Sequence, residues 1–302
     1  MAPKAAAADD KDPAATAAAA LTVAIENLQS DDPAVRAEAL QALASLCASA
    51  WGESDVHDKM PVIMPTLLRL LEKDEPALHF AATLAQLPWG TEALLLQGAL
   101  PPLLRLTLPP PPPAPPPPPP PDEELDEEEP DDDDDQPAAA PAEPIVPAEP
   151  AEPPAGWAHA GLACAVIGGI ATFPQGRHEL CECGAPALLL VLIAPPEIQA
   201  GVSPALYTAP IVPLELQAEA ALVLTRCAEA ATARSQLLAS GGVPRLVRRL
   251  QLHVPLLDEP ASATSADGWA AALRSRLLLL LGMVAYDYKA KSELLQAGLS
   301  SK

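Results

Sequence analysis

The sequence has very few aromatic residues, and it lacks the short alternating runs of a β-sheet protein. Phe, Trp and Tyr make up 3% of the 302 residues, whereas hydrophobic residues as a whole make up 49%. A core of this composition has to be built from Ala, Leu and Val. A β-sandwich needs repeated short runs in which Val, Ile, Thr, Tyr or Phe alternate with polar residues. We therefore expect an all-α fold in which helices pack on helices.

Long hydrophobic runs are also missing. The longest, 185–194 and 277–285, reach about half of the ~20 residues that a membrane-spanning helix needs. The first ten residues include Asp9 and Asp10 and hold no apolar core of a signal peptide. The five cysteines are an odd number in a long chain, which is atypical of a disulfide scaffold. These features predict a soluble cytoplasmic protein with free thiols and no membrane contact.

Catalytic signatures are absent as well, since there is no phosphate loop, dinucleotide glycine fingerprint or paired-histidine zinc helix. We expect neither an enzyme nor a bound cofactor. His178, Cys181 and Cys183 come nearest to a metal cluster, with Cys164 as a possible fourth ligand. A zinc site needs four converging ligands, but helix positions two apart point about 200° away from each other. Ordinary thiols are the expected reading, and a metal- or redox-responsive Cys181/Cys183 pair is an alternative.

Proline and negative charge are concentrated in one segment. The chain has 39 prolines and a net charge of -22; residues 109–121 are twelve prolines and one alanine, and 12 of the 14 residues from Asp122 to Asp135 are acidic. Polyproline has no backbone donors and is extended, and an acidic run repels itself instead of folding. We predict a disordered linker over 109–154. So acidic a chain also repels phosphates, which argues against nucleic acid binding.

Helical periodicity occupies both sides of this linker. After a disordered start at 1–20, apolar residues recur at spacings of three and four in 21–108 and again in 155–302. A polar break is expected at 51–58, followed by a short helix over 62–71. Longer helices are predicted at 157–170, 214–229 and 269–286.

One turn recurs four times between these helices. An apolar pair is followed within one to three residues by glycine, then usually by proline and a Leu-rich helix. Glycine can take the left-handed conformation that ends a helix, and proline fits the first turn of the next one. The glycines of these turns are Gly98, Gly184, Gly241 and Gly298.

This arrangement resembles the armadillo repeat family, with Leu216 to Leu250 as the best match. The resemblance implies repeats of about 42 residues with three helices each, stacked into a right-handed α-solenoid. The intervals between the four glycines are 86, 57 and 57 residues. The linker and two loops, near 195–213 and 255–267, account for the excess, and about five repeats are expected.

The resemblance also implies protein binding along a concave groove lined by the third helix of each repeat. Arg105, Arg245, Arg248 and Arg249 are expected on the polar face of such helices, with Leu246, Val247 and Leu250 facing the core. An acidic peptide, or the chain's own run at 122–135, would suit such a patch. A merely solvated charged face is the plainer interpretation.

We therefore expect a non-enzymatic scaffold that docks a protein partner in an intracellular assembly, with cytoskeletal or ciliary assemblies as examples. An alternative is an actin-linked adaptor whose proline run recruits profilin, SH3 or WW domains. The proline run could equally be a stiff spacer. Nuclear-import adaptors of the family carry recurring Trp and Asn on groove helices, but the only asparagine here is Asn27 and the four tryptophans do not recur there.

Overall fold

Thirteen α-helices form the secondary structure of the part of the chain that the computed structural model describes. That part comprises residues 13–49, 52–108, 157, 159–195, 212–252, 265–287 and 291–293, and it contains no β-strand. The helices are α1 (Pro13–Asn27), α2 (Pro33–Cys47), α3 (Glu53–Leu70), α4 (Glu75–Leu84), α5 (Pro88–Leu96), α6 (Leu100–Thr107), α7 (Ala160–Ile170), α8 (Pro174–Glu182), α9 (Ala185–Ile193), α10 (Leu214–Cys227), α11 (Ala231–Ala239), α12 (Gly242–Leu252) and α13 (Ser265–Val284).

The helices from α5 onward repeat as units of three. The first helices are α5, α8 and α11, the second are α6, α9 and α12, and the third are α7, α10 and α13. In each unit the second helix packs against the third. Each unit has roughly 40 residues in the described parts of the chain, close to the armadillo and HEAT repeat length.

Stacking of these units buries one continuous core. The third helices continue a row that starts with α2 and α4, because α2 packs on α4, α4 on α7, α7 on α10 and α10 on α13. We call these five helices the ladder. Neighbouring first helices also touch, as do α9 and α12. Leu, Ala, Val and Ile supply most buried side chains, which confirms the expected aromatic-poor core, and Phe80 is the largest of those that are fully buried.

Left-handed glycines separate the first and second helices, as predicted. Gly98, Gly184 and Gly241 have φ angles of 73°, 71° and 65°. An L-residue with a side chain rarely adopts such angles, so glycine allows the chain to turn sharply here. Gly298, the fourth predicted turn, lies outside the described residues.

In four helices, one side chain from the first turn donates hydrogen bonds to main-chain carbonyl groups of the turn that precedes the helix. Arg177 on α8 donates from Nη1 to the carbonyl oxygens of Ala171 and Thr172, at 3.1 and 2.9 Å. Helix ends leave carbonyls without intrahelical partners, and one guanidinium can satisfy two of them. The same device occurs at Arg36, which binds the carbonyls of Ser30 and Asp31, at Arg234, which binds those of Ala228 and Glu229, and at Thr91, which binds that of Ala85.

Two glycines allow the central ladder helix to approach both of its neighbours. A Cβ at Gly169 would lie 2.7 Å from the Cβ of Ala85 at the end of α4. A Cβ at Gly168 would lie 3.3 Å from the Arg226 guanidinium of α10, which donates a hydrogen bond to the Gly168 carbonyl. The Gly168–Gly169 pair therefore serves helix packing.

Two boundaries differ from the sequence-based expectations. The polar break expected at 51–58 is wrong for most of its length, because α3 begins at Glu53 and runs without interruption to Leu70. The expected boundary at residue 20 falls inside α1, which begins at Pro13. The proposed linker at 109–154 lies outside the described residues. It connects α6 to α7, and these two helices pack together.

Candidate partner-binding surface

The four arginines predicted to bind a partner lie on second helices, not on third helices. Arg105 is on α6, and Arg245, Arg248 and Arg249 are on α12. Arg105 and Arg248 occupy equivalent exposed positions, each seven residues after a left-handed glycine. The equivalent position on α9 between them is Val191, so the arginines do not form an unbroken row.

Arg245 does not project outward as predicted. Its residue surface is 6% exposed, and its Nε donates to the Ala194 carbonyl at 2.7 Å, with Nη2 bonded to the same oxygen. The Arg245 guanidinium thus closes the C-terminal end of α9, where a main-chain carbonyl would otherwise be buried without a partner. Arg249 is half-buried and donates from Nε to Oε1 of Gln217 at 3.2 Å, which ties α12 to α10.

The remaining two arginines lie at the surface. The Arg105 side chain is 69% exposed and forms an ion pair with Glu72, with 2.9 Å between Nη2 and Oε1. Such an exposed pair contributes little to stability and can exchange for another carboxylate. Arg248 is exposed as well. Of the predicted set, Arg105 and Arg248 are therefore the two that a partner could reach.

The ladder presents a groove whose lining residues the sequence analysis did not name. It has a volume of about 350 Å³ and lies between α2 and α4. Leu40 and Phe80 form a buried floor, and Gln41, His79 and Thr83 supply polar groups along the walls. The signal was present in the sequence, since His79 and Thr83 are four residues apart and so share one helix face.

Charged side chains cross-link the far end of the ladder. Arg276 on α13 forms an ion pair with Glu219 on α10, with 2.9 Å between Nη1 and Oε1, and both side chains are mostly buried. Arg226 reaches back to α7, as described above. These contacts join α7, α10 and α13 through charged side chains.

The predicted thiol pair does not share a surface. Cys181 is buried and Cys183 is exposed, and all five cysteines are free. Burial raises the pKa of the Cys183 thiol, and Glu179 and Glu182 raise it further. Burial also raises the pKa of Cys227 to about 12 and that of Cys47 to about 11. Protonated thiols are poor nucleophiles and poor metal ligands. Among the described residues, no group of three or more His, Cys, Asp or Glu side chains is placed to hold a metal ion.

The described helices include none whose length and apolarity would allow it to cross a membrane.

Comparison with known proteins finds likeness at the level of structure alone. No protein-family profile matches the chain, and no curated protein matches it. Two engineered proteins solved by the Northeast Structural Genomics Consortium align with TM-scores of 0.54 and 0.53, both at 16% identity. Each alignment covers 92% of this chain, and 86% and 85% of the respective engineered proteins.

Computationally designed armadillo repeat proteins for modular peptide recognition align with a TM-score of 0.50 at 16% identity, over 92% of this chain and 88% of theirs. The three-helix units, the left-handed glycine turns and the ladder of stacked third helices agree with this likeness. The chain is an α-solenoid with an armadillo-like repeat fold.

Proposed function

We propose that the chain is a non-enzymatic scaffold that binds an extended segment of a partner protein across the ladder. The groove between α2 and α4 carries this proposal, because it combines a buried apolar floor with polar side chains on both walls. The designed armadillo repeat proteins that share the fold are described as built for peptide recognition. Such recognition combines apolar contact with a few placed polar groups.

The groove chemistry suits a peptide backbone. The Gln41 amide can donate and accept hydrogen bonds, as a main-chain peptide group does. The Thr83 hydroxyl already donates to the His79 carbonyl at 3.2 Å and keeps its acceptor capacity. His79 Nε2 lies 3.5 Å from Glu75 Oε1, which orients the imidazole at the groove wall. An extended segment could therefore pair its amides with these groups while a side chain covers Leu40 and Phe80.

The finer assignments of the sequence analysis remain proposals. Arg105 and Arg248 would contribute contacts from the second helices, where an acidic ligand would be favoured. A cytoplasmic assembly, cytoskeletal or ciliary, is the setting that we propose. A profilin, SH3 or WW domain that binds the proline run at 109–121 is the second candidate partner, supported by the length of that run and by its place between α6 and α7.

Affinity capture from the native source, read by mass spectrometry, tests the scaffold against the adaptor. The baits are the full chain, a chain without residues 109–154, and a Gln41→Arg and Thr83→Arg double variant that fills the groove with long side chains. Val191→Arg is the control, because it places the same side chain at an exposed position on α9.

We expect the linker deletion and the control to retain the partners of the full chain, and the double variant to lose them. If the double variant captures the partners as well as the full chain does, the ladder is not the binding surface. Loss of the partners with the linker deletion alone would instead favour the adaptor.

A further inference from the structure

A second cavity lies away from the ladder, between α3 and α5. Its volume is about 410 Å³, comparable with small-ligand sites. Most of its walls are apolar, with two methionines at the base and an indole at the side. We call it the Trp89 pocket; its lining residues used below are Asp58, Met60, Met64, Trp89, Glu92 and Leu96.

The apolar part of the pocket is partly open to solvent. Leu96 is 72% exposed, the highest value among the exposed aliphatic side chains of the described helices. Met60 and Met64 are buried below it. Methionine is unbranched and polarisable, so it adapts to different apolar ligands. An exposed leucine above a methionine floor is the arrangement expected of a surface that a partner covers.

Trp89 is held in place as a wall of the pocket. Its indole Nε1 donates to Glu53 Oε1 at 2.9 Å, and its ring meets that of His57 edge to face, with 5.3 Å between the centroids. Because its hydrogen bond and ring contact are satisfied within the chain, a ligand need not order the indole on binding. Such preorganisation lowers the entropic cost of association.

The charged rim of the pocket is acidic. Asp58 and Glu92 line the opening and are exposed, and Glu53 lies beside it through its bond to Trp89. None of the lining residues is Lys or Arg. A cationic ligand is therefore favoured and an anionic one disfavoured.

We propose that the Trp89 pocket binds a short segment of a partner protein in which a bulky apolar side chain is flanked by Lys or Arg. The apolar side chain enters between Trp89, Met60 and Leu96, and the flanking cation contacts Asp58 and Glu92. Burial of one such side chain and one or two exposed ion pairs support a dissociation constant in the sub-millimolar range. This surface is separate from the ladder and does not depend on binding there.

The chain's own proline run is disfavoured as the occupant. It continues directly into the acidic residues 122–135, which the rim at Asp58 and Glu92 would repel. Nucleic acid is disfavoured for the same reason. A basic and apolar segment from another protein fits both halves of the pocket.

A peptide titration with two readouts tests the proposal. The probe is a fluorescein-labelled ten-residue peptide in which Leu and Phe are flanked by four Arg. One comparison peptide replaces the Arg by Glu, and another keeps the Arg but replaces Leu and Phe by Ser. Fluorescence anisotropy gives the affinity for the full chain and for its variants. The second readout is NMR of methyl-labelled methionine, which suits a chain with four methionines.

The basic apolar peptide is expected to bind with a sub-millimolar dissociation constant and to shift the methyl signals of Met60 and Met64, but not that of Met283 on α13. Asp58→Lys with Glu92→Lys should weaken binding at least tenfold, as should Leu96→Glu. Val191→Glu, an equivalent change of an exposed apolar residue on α9, should leave the affinity within twofold.

Equal binding of the Ser-containing peptide, or equal binding to all variants, would show charge attraction to the acidic run and overturn the proposal. Unmoved Met60 and Met64 signals, or preference for the Glu-containing peptide, would also overturn it. Circular dichroism of each variant shows that a loss of binding does not reflect unfolding.

Discussion

At the residue scale, the first helices begin where a small side chain meets a carbonyl group. A Cβ at Gly176 would lie 2.1 Å from the Ile170 carbonyl oxygen, and one at Gly90 would lie 2.3 Å from that of Leu84. α11 has Ala233 at the equivalent position, where it is fully buried. The position therefore admits nothing larger than a methyl group, and in α8 the closer backbone demands glycine.

The substitution Gly176→Ala should destabilise the protein by about 1–3 kcal/mol, because the new methyl forces α7 and α8 apart. Gly161→Ala is the matched control. It lies on α7, where an added Cβ meets nothing within 4 Å, so alanine should be neutral or stabilising by up to about 1 kcal/mol. Urea unfolding followed by circular dichroism measures both, and equal effects would contradict the steric argument.

The arginine caps make a different prediction, because they depend on the guanidinium shape and not on charge alone. Arg177 binds two carbonyls and also lies 3.2 Å from Glu229 Oε2, which follows α10. Lysine has one nitrogen and cannot make this set of contacts. Arg177→Lys should therefore cost about 1–2 kcal/mol of stability. Arg248→Lys, on the exposed face of α12, should have no measurable effect; a similar loss in both would contradict the cap.

The buried thiols make stability sensitive to alkaline pH. Burial, aided by Glu53, raises the pKa of Cys47 from its ordinary value of 9.0 to about 11, and burial, aided by Cys181, raises that of Cys227 to about 12. Above pH 9 the unfolded chain releases these protons while the folded chain retains them. Stability should then fall by up to about 1.4 kcal/mol per pH unit for each thiol until its folded pKa is reached.

Urea midpoints between pH 8 and pH 10.5 measure this decline. Cys227→Val removes one of the thiols with a raised pKa and should make the slope shallower, whatever it does to stability at pH 8. Identical slopes for the variant and the parent chain would contradict the assignment.

At the element scale, α3 corresponds to a first and a second helix fused into one. Its Pro65-Thr66-Leu67-Leu68-Arg69-Leu70 matches Pro101-Pro102-Leu103-Leu104-Arg105-Leu106 of α6, with buried and exposed positions in nearly the same order. In α6 the proline opens the helix, whereas in α3 it lies inside a continuous helix with Pro61 one turn earlier. The left-handed glycine that separates the two helices elsewhere is absent from this position.

This fusion gives the two prolines opposite roles. Pro65 removes an interior backbone hydrogen bond, so Pro65→Ala should stabilise the protein by about 1 kcal/mol, less than the ~3 kcal/mol of an isolated helix because packing fixes α3. Pro101 is in the first turn of α6, where no donor is needed, and Pro101→Ala should be neutral or slightly destabilising. Thermal unfolding of the two variants checks the contrast, and a gain of the same size in both would refute it.

The same element shows where sequence patterns suffice and where they do not. The glycine turns at Gly98, Gly184 and Gly241 were predictable, because a left-handed backbone conformation strongly favours glycine and glycine is visible in the sequence. The start of α3 was not predictable, since residues 53–58 are polar except for Val56, and they are helical because Val56 packs in the core and Trp89 bonds to Glu53. Tertiary contacts override local pattern there.

The candidate surfaces follow the same rule. Arg245 looked like a surface residue because its charge is visible in the sequence, whereas the carbonyl of Ala194 that draws it inward is not. Gln41 and His79 converge only because α2 packs on α4. Trp89 and Leu96 likewise form a pocket only in combination with α3.

At the scale of the whole molecule, the long connections all occupy the same place in the repeat. They join α6 to α7, α9 to α10 and α12 to α13, which is the passage from second to third helix in each unit. Because successive units stack in the same orientation, the helix ends that flank these connections lie along one edge of the solenoid. In these three units, the turns between third and first helices, and between first and second helices, are only two or three residues long.

Deletion of residues 109–154 should therefore leave the stack intact. Six residues, 108 and 155–159, would remain between α6 and α7, which is enough for an antiparallel helix pair. A shorter connection loses less conformational entropy when its two ends are brought together, so the free energy of unfolding should rise by up to about 2 kcal/mol. Circular dichroism and thermal unfolding measure this, and a loss of helical signal or a lower midpoint would show that the segment supports the fold.

That shared edge also bears on how such a chain can change over generations. Since each doubling of a connection costs only about 0.6 kcal/mol, codon-repeat expansion at a second-to-third helix passage is nearly neutral for folding. Insertions at a glycine turn or beside an arginine cap would instead disrupt the tight turn or the arginine–carbonyl hydrogen bonds and so destabilise the fold. Insertions are thus tolerated only in the connections from second to third helices. New sequence can accumulate in these connections while the ladder and the Trp89 pocket stay unaltered.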